Sequence, residues 1–144
     1  HDIEYMNALY NMRYNQITNN AFFFGEDLFG NGYIFNKLKI YLFNIESGEA
    51  EFIANTFKDF LSVLEKDLDY LTGISLAKKL SKEDNFKLAY GYRLNAKYPF
   101  ILGGNYEMDN LILKDFKENI EFNASIANQV YNLPDGTKVN IDIK

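Results

Sequence analysis

The run from residue 21 to residue 71, AFFFGEDLFGNGYIFNKLKIYLFNIESGEAEFIANTFKDFLSVLEKDLDYL, constrains the fold more than any other stretch of this chain. Short apolar segments alternate in it with explicit turn chemistry. Gly25, Gly30 and the Asn31-Gly32 pair make a hairpin connection, because Asn-Gly readily takes the backbone angles a tight reversal needs. Glu46-Ser47-Gly48-Glu49 makes a second reversal. The segments 21–24, 32–36, 39–45 and 50–54 between these signals read as four strands in a meander. Residues 39–45 are apolar on both faces, with Ile40 and Leu42 on one and Tyr41, Phe43 and Ile45 on the other, which predicts an interior strand. Residues 50–54 alternate, with Phe52 opposite Glu51 and Ile53. A helix over 56–71 closes the block: Phe57, Phe60, Leu61, Leu64, Leu68 and Leu71 fall on one stripe. Thr56 and Asp59 form a capping pair at its start, and Gly73 supplies a left-handed stop.

The flanks complete a single α+β domain. A helix is expected over 2–14, capped by Asp2, with Ile3, Met6, Leu9 and Tyr10 along one side. Residues 15–20 read as a polar loop, 75–80 as a short helix and 86–94 as an extended segment. A strand over 107–114 centres on Leu111, Ile112 and Leu113. The last helix opens at Asp115, with Glu118 three residues on, and carries Phe116, Ile120, Ala124, Ala127 and Tyr131. Pro134-Asp135-Gly136 is a turn, and 138–144 alternates strictly, with Val139, Ile141 and Ile143 inward. The expected architecture is an antiparallel-rich mixed sheet of about six strands packed against helices, without repeats or a linker.

Composition removes several function classes. The chain of 144 residues has no cysteine and one histidine, His1. Disulfides and thiolate chemistry are excluded, and a Ser-His-Asp triad has no credible base. No cluster with metal-ligand spacing is present, so neither a metal nor a cofactor is expected. The acids Glu65, Asp67 and Asp69 read as a solvated helix face. Nothing points to the paired acids of a glycoside hydrolase, and no catalytic residue is assigned. The net charge of −5 argues against nucleic-acid binding, which needs a basic footprint; it suits plain solubility first and also suits a basic partner. No apolar run reaches the ~20 residues of a membrane span, and no signal-peptide pattern is present, so the expected location is the cytoplasm.

What remains is a surface for recognition. Glu26, Asp27, Glu46 and Glu49 fall at predicted loop tips, where binding residues concentrate. Tyr90, Tyr92, Tyr98 and Tyr106 gather around Gly91 and Pro99. Either they form an aromatic protein-binding patch, or they are a buried cluster with satisfied hydroxyls. Arg93 among them reads as an ion-pair or stacking residue. The glycines in Leu102-Gly103-Gly104-Asn105 permit a tight turn; the competing reading is an anion cradle of backbone N–H groups.

The order of these motifs resembles the SUKH superfamily of Smi/Knr-type proteins. Asp27, Phe29, Gly30, Asn31, Tyr33 and Phe35 match D-x-F-G-N-x-Y-x-F, and Glu46, Gly48 and Glu49 match E-x-G-E. Thr56, Phe57, Phe60 and Leu61 match the helix start. Pro99, Leu102, Gly103 and Gly104 match P-x-x-L-G-G, followed by D-N-L at Asp109, Asn110 and Leu111. The resemblance covers residues 20–144 and departs from the family at the N-terminus, where a helical segment and a Gly-rich first strand are usual. It therefore implies one SUKH-like domain lacking its natural N-terminal segment. It also implies a non-catalytic immunity protein that neutralises a cognate protein toxin, a nuclease or deaminase, by stoichiometric occlusion. The fungal relatives imply the alternative, a regulatory interaction module without a toxin.

Overall fold

The computed structural model describes residues 1–84 and 86–142. The first helix, α1 (Ile3–Arg13), is capped by Asp2, whose carboxylate accepts from the Tyr5 N–H at 2.7 Å. Residues expected as a loop then wind into one short turn of helix, α2 (Asn15–Thr18). Thr18 Oγ1 holds that turn closed by donating back to the Tyr14 carbonyl. The meander follows as β1 (Phe22–Glu26), β2 (Gly32–Asn36), β3 (Lys39–Phe43) and β4 (Ala50–Ala54), antiparallel throughout and in that spatial order. The doubly apolar third segment is indeed interior.

The helix expected over 56–71 is two helices, α3 (Phe57–Lys66) and α4 (Leu68–Thr72), divided at Asp67. The break turns Leu71 into the core, and the Tyr33 hydroxyl donates to the Leu71 carbonyl. Gly73, at φ 71°, ends α4 in the left-handed conformation and leads into α5 (Ile74–Leu80). The extended segment expected over 86–94 starts late, at β5 (Tyr92–Ala96). The strand expected over 107–114 begins with a 3-10 turn, Met108–Asn110, before β6 (Leu111–Asp115). Strands β5 and β6 pair antiparallel as a second sheet, so the six strands lie in two sheets. Helix α6 (Phe116–Val130) follows directly.

Each face of the large sheet is covered. Phe23, Ile34 and Phe43 pack with Tyr10 of α1 and Phe116 and Ile120 of α6. On the other face Tyr33, Ile40 and Leu42 meet Phe60 and Leu71. Leu80, Leu94 and Leu111 form a third cluster that ties the small sheet to α5.

The strand expected over 138–144 is not formed at 138–142; Ile143 and Lys144 lie outside the described residues. A helix side chain takes the bonds a neighbouring strand would supply. Gln129 Oε1 accepts from the Asp142 N–H and Gln129 Nε2 donates to the Asp142 carbonyl, both at 3.0 Å. The same device closes the outer edge of β1. Asn7 Oδ1 accepts from the Phe23 N–H and Asn7 Nδ2 donates to the Phe23 carbonyl, both at 2.7 Å. Asn7→Leu is expected to lower stability by about 2 kcal/mol, since both backbone groups lose their partner at a half-buried site. Urea unfolding measures this, and an unchanged midpoint would mean that water replaces the amide at no cost.

Candidate functional site

A cleft of about 440 Å³ opens where the loop after β3, the 3-10 turn Phe100–Leu102, the end of β5 and helix α6 converge. Side-chain amides build its walls. Asn44 Oδ1 accepts from the N–H groups of Glu46 and Ser47, at 2.9 and 3.1 Å, folding residues 44–49 into a tight reversal. Gly48 is required there. It sits at φ 75°, and a Cβ would meet Ile17 at 2.9 Å and Tyr131 at 3.2 Å. In the neighbouring loop Asp27 Oδ1 accepts from the N–H groups of Phe29 and Asn31, and Asp27 Oδ2 from Asn31 Nδ2, all at 2.9 Å. Asn31 Oδ1 in turn accepts from the Ile45 N–H at 3.1 Å, locking the two loops together.

Glu46 joins this pair of loops to the 3-10 turn. Its Oε2 accepts from the Ile101 N–H at 2.9 Å. Burial pushes the Glu46 carboxyl above its ordinary pKa, and the N–H groups of Ile101 and Phe100 pull it back part of the way. Burial likewise pushes Asp27 up to about 6 against the hydrogen bonds from residues 29–31. The backbone donors lie just upstream of Gly103-Gly104, and the anion they hold is the chain's own Glu46. The two glycines serve the turn. Gly103 is at φ 98°, and a Cβ on Gly104 would collide with the Tyr98 carbonyl.

Two asparagines that the sequence reading did not single out, Asn95 and Asn123, line the cleft, and a third, Asn119, holds Asn123 in place. Asn119, fully buried, donates from Nδ2 to the Phe29 carbonyl at 2.8 Å. Asn123, 1% exposed, donates from Nδ2 to Asn119 O at 2.9 Å and Asn119 Oδ1 at 3.2 Å. Both of those partners are acceptors, so the amide orientation of Asn123 is fixed. Its Oδ1 then has no partner. Asn95, 3% exposed, has an unpartnered Nδ2. The signal for Asn119 and Asn123 was asparagine at i and i+4 beside the apolar stripe of α6, polar groups on a buried face; Asn95, in β5, carried none.

Aromatic rings form the rim. Tyr106 stacks on Phe100, centroids 4.0 Å apart and planes 10° apart, while Phe29 stands edge-on to both at 85°. Tyr106, 63% exposed, is the ridge between this cleft and a second groove of about 520 Å³ that runs to Glu51, Asp69 and Tyr70. Asp27, Glu46, Glu49, Glu51, Asp69 and Asp135 line the two hollows. Among the described residues no lysine or arginine lines either one.

The eight residues singled out from the sequence separate into distinct roles. Glu49 is exposed between the hollows. Asp27 and Glu46 are not free loop-tip acids; both are buried and hold loops in place. Glu26 ends β1 half-buried, ion-paired with Arg93, and accepts from the Tyr10 hydroxyl at 3.2 Å. Arg93 also lies over the Phe116 ring, 5.3 Å from its centroid, so it is the ion-pair and stacking residue its setting implied. All four tyrosines are exposed, which excludes the buried cluster. They do not form one patch, however. Tyr90 and Tyr92 lie at the start of β5, with the Tyr90 hydroxyl against the His1 amino group, and Tyr98 and Tyr106 lie beyond its far end. At strand rise, Tyr92 and Tyr98 are about 20 Å apart.

Among the described residues no group of three or more His, Asp or Glu side chains is placed to hold a metal ion, and no helix is long and apolar enough to cross a membrane. Comparison of the chain with protein-family models, curated proteins and solved structures finds no match.

Proposed function

We propose that this chain is a stoichiometric binder of a basic protein, acting as an immunity protein of the kind its motif order resembles and occluding a nuclease or deaminase toxin in the cytoplasm. One observation carries the reading: two adjoining hollows share an exposed tyrosine ridge, and carboxylates line them without a single basic side chain among the described residues. Such a surface raises the encounter rate with a cationic partner, and desolvated aromatic rings prolong the complex once formed. The contact surface is centred on Glu49 and Tyr106. Tyr90 and Tyr92 lie outside it.

The triple variant Glu49→Lys, Glu51→Lys and Asp69→Lys is expected to slow association with the partner ~10- to 100-fold at low salt, with a smaller effect at high salt. The partner is captured from lysate of the source cell with this chain as bait, and stopped-flow mixing measures the rate. Association equal to that of the parent at every salt concentration removes the electrostatic basis of the proposal. Capture of an endogenous partner in cells that carry no toxin assigns the same surface to regulation instead.

A further inference from the structure

The floor of the cleft has a chemistry its rim does not share. Glu46 is buried, and among the described residues no lysine or arginine nitrogen lies within 4.0 Å of its carboxylate. The chain's two arginines are engaged elsewhere, Arg13 with Glu121 and Arg93 with Glu26. Asn123, which lines the same cleft as Glu46, has a buried Oδ1 with no donor, and its amide orientation is fixed by Asn119. Two acceptors that lack a cation therefore line the same cleft as the stacked rings of Phe100 and Tyr106. An unpaired buried acceptor is costly, and an unpaired buried carboxylate more so.

We infer that the cleft receives an arginine side chain of the bound protein. A guanidinium has five N–H donors in a rigid plane, enough to meet Glu46 and Asn123 at once, and its flat face stacks on an aromatic ring. An ammonium lacks the planar face and the fork. The other unpaired buried side-chain group among the described residues, Asn95 Nδ2, is a donor, suited to a main-chain carbonyl of the inserted segment. The cleft's volume of about 440 Å³ lies within the ~300–1,000 Å³ of ligand pockets.

The inference rests on the partner-binding reading of this cleft, and its test uses no partner. N-acetyl-arginine amide is titrated into the ¹⁵N-labelled chain, with N-acetyl-citrulline amide as the neutral isostere. The side-chain amide signals of Asn95 and Asn123 and the N–H of Ile101 are expected to shift saturably with the arginine compound. Glu46→Gln, which keeps an acceptor for Ile101, is expected to weaken this binding at least ~10-fold while its other resonances stay in place. Equal affinity for the citrulline compound, or no saturable shift at those three groups, overturns the arginine pocket. If the probe fails while a basic partner still binds in a salt-sensitive way, the pocket is wrong and the partner-binding reading stands.

Discussion

Phe23→Ala is expected to destabilise the chain by about 4 kcal/mol, measured as the shift of the urea midpoint at constant slope. The ring is fully buried and touches three elements. It stacks on Tyr10 of α1, with centroids 4.2 Å apart, and meets Phe43 of β3 edge-on at 5.6 Å and 88°. It also occupies the space above Gly32, where a Cβ would come within 2.6 Å of the ring's Cε1. The void left by truncation is thus floored by the backbone of β2, which is held by β1 and β3 on either side and has little freedom to collapse. Gly32→Ala alone overpacks the same space and is expected to cost about 1–3 kcal/mol. Together the two changes should cost less than their sum, because the new methyl group enters the space the ring leaves. A loss below about 1.5 kcal/mol for Phe23→Ala, or strict additivity in the pair, contradicts this packing.

The second large effect is one of pH. Asp27 titrates at about 6 in the fold and near 3.9 in an unfolded chain. The folded state therefore binds its proton more tightly. Its contribution is fully present below pH ~4 and is lost as the pH rises through 6, amounting to about 3 kcal/mol. Glu46 shifts in the same direction and adds to the trend. In Asp27→Asn the titration is gone. The amide keeps an oxygen for the N–H groups of Phe29 and Asn31 but places a donor against Asn31 Nδ2. The stability of the parent relative to the variant should decline between pH 4 and 7 in urea titrations. Parallel curves for the two proteins would show that the hydrogen bonds from residues 29–31 outweigh burial.

Glycine, asparagine and apolar period carried most of the fold into the sequence. The Thr56 cap, the Gly73 stop and the doubly apolar β3 are local patterns with local causes. The β1–β2 hairpin also forms, but its positive φ falls at Gly30 (91°), while Gly32 is already the first residue of β2. The connection between β2 and β3 has no such signature. Lys37 and Leu38 both take positive φ, 49° and 69°, a conformation these residue types seldom adopt. Where the reading failed, the cause was a partner distant in the chain. Residues 138–142 alternate like a strand, yet the carboxamide of Gln129 occupies their polar backbone at Asp142. Asp27 and Glu46 look like exposed acids until the donors of residues 29–31 and 101 are known. Asn123 is unremarkable in one dimension, because what matters is the acceptor it is left holding after Asn119 has fixed its amide.

The Asn7 amide seated against Phe23 also gives the large sheet a direction of growth. One lateral border is sealed by a helix side chain. The other border, β4, carries no comparable plug among the described residues, and its guard is the charge on Glu51. Of the two borders, β4 is therefore the one at which a further strand would meet no side-chain amide among the described residues.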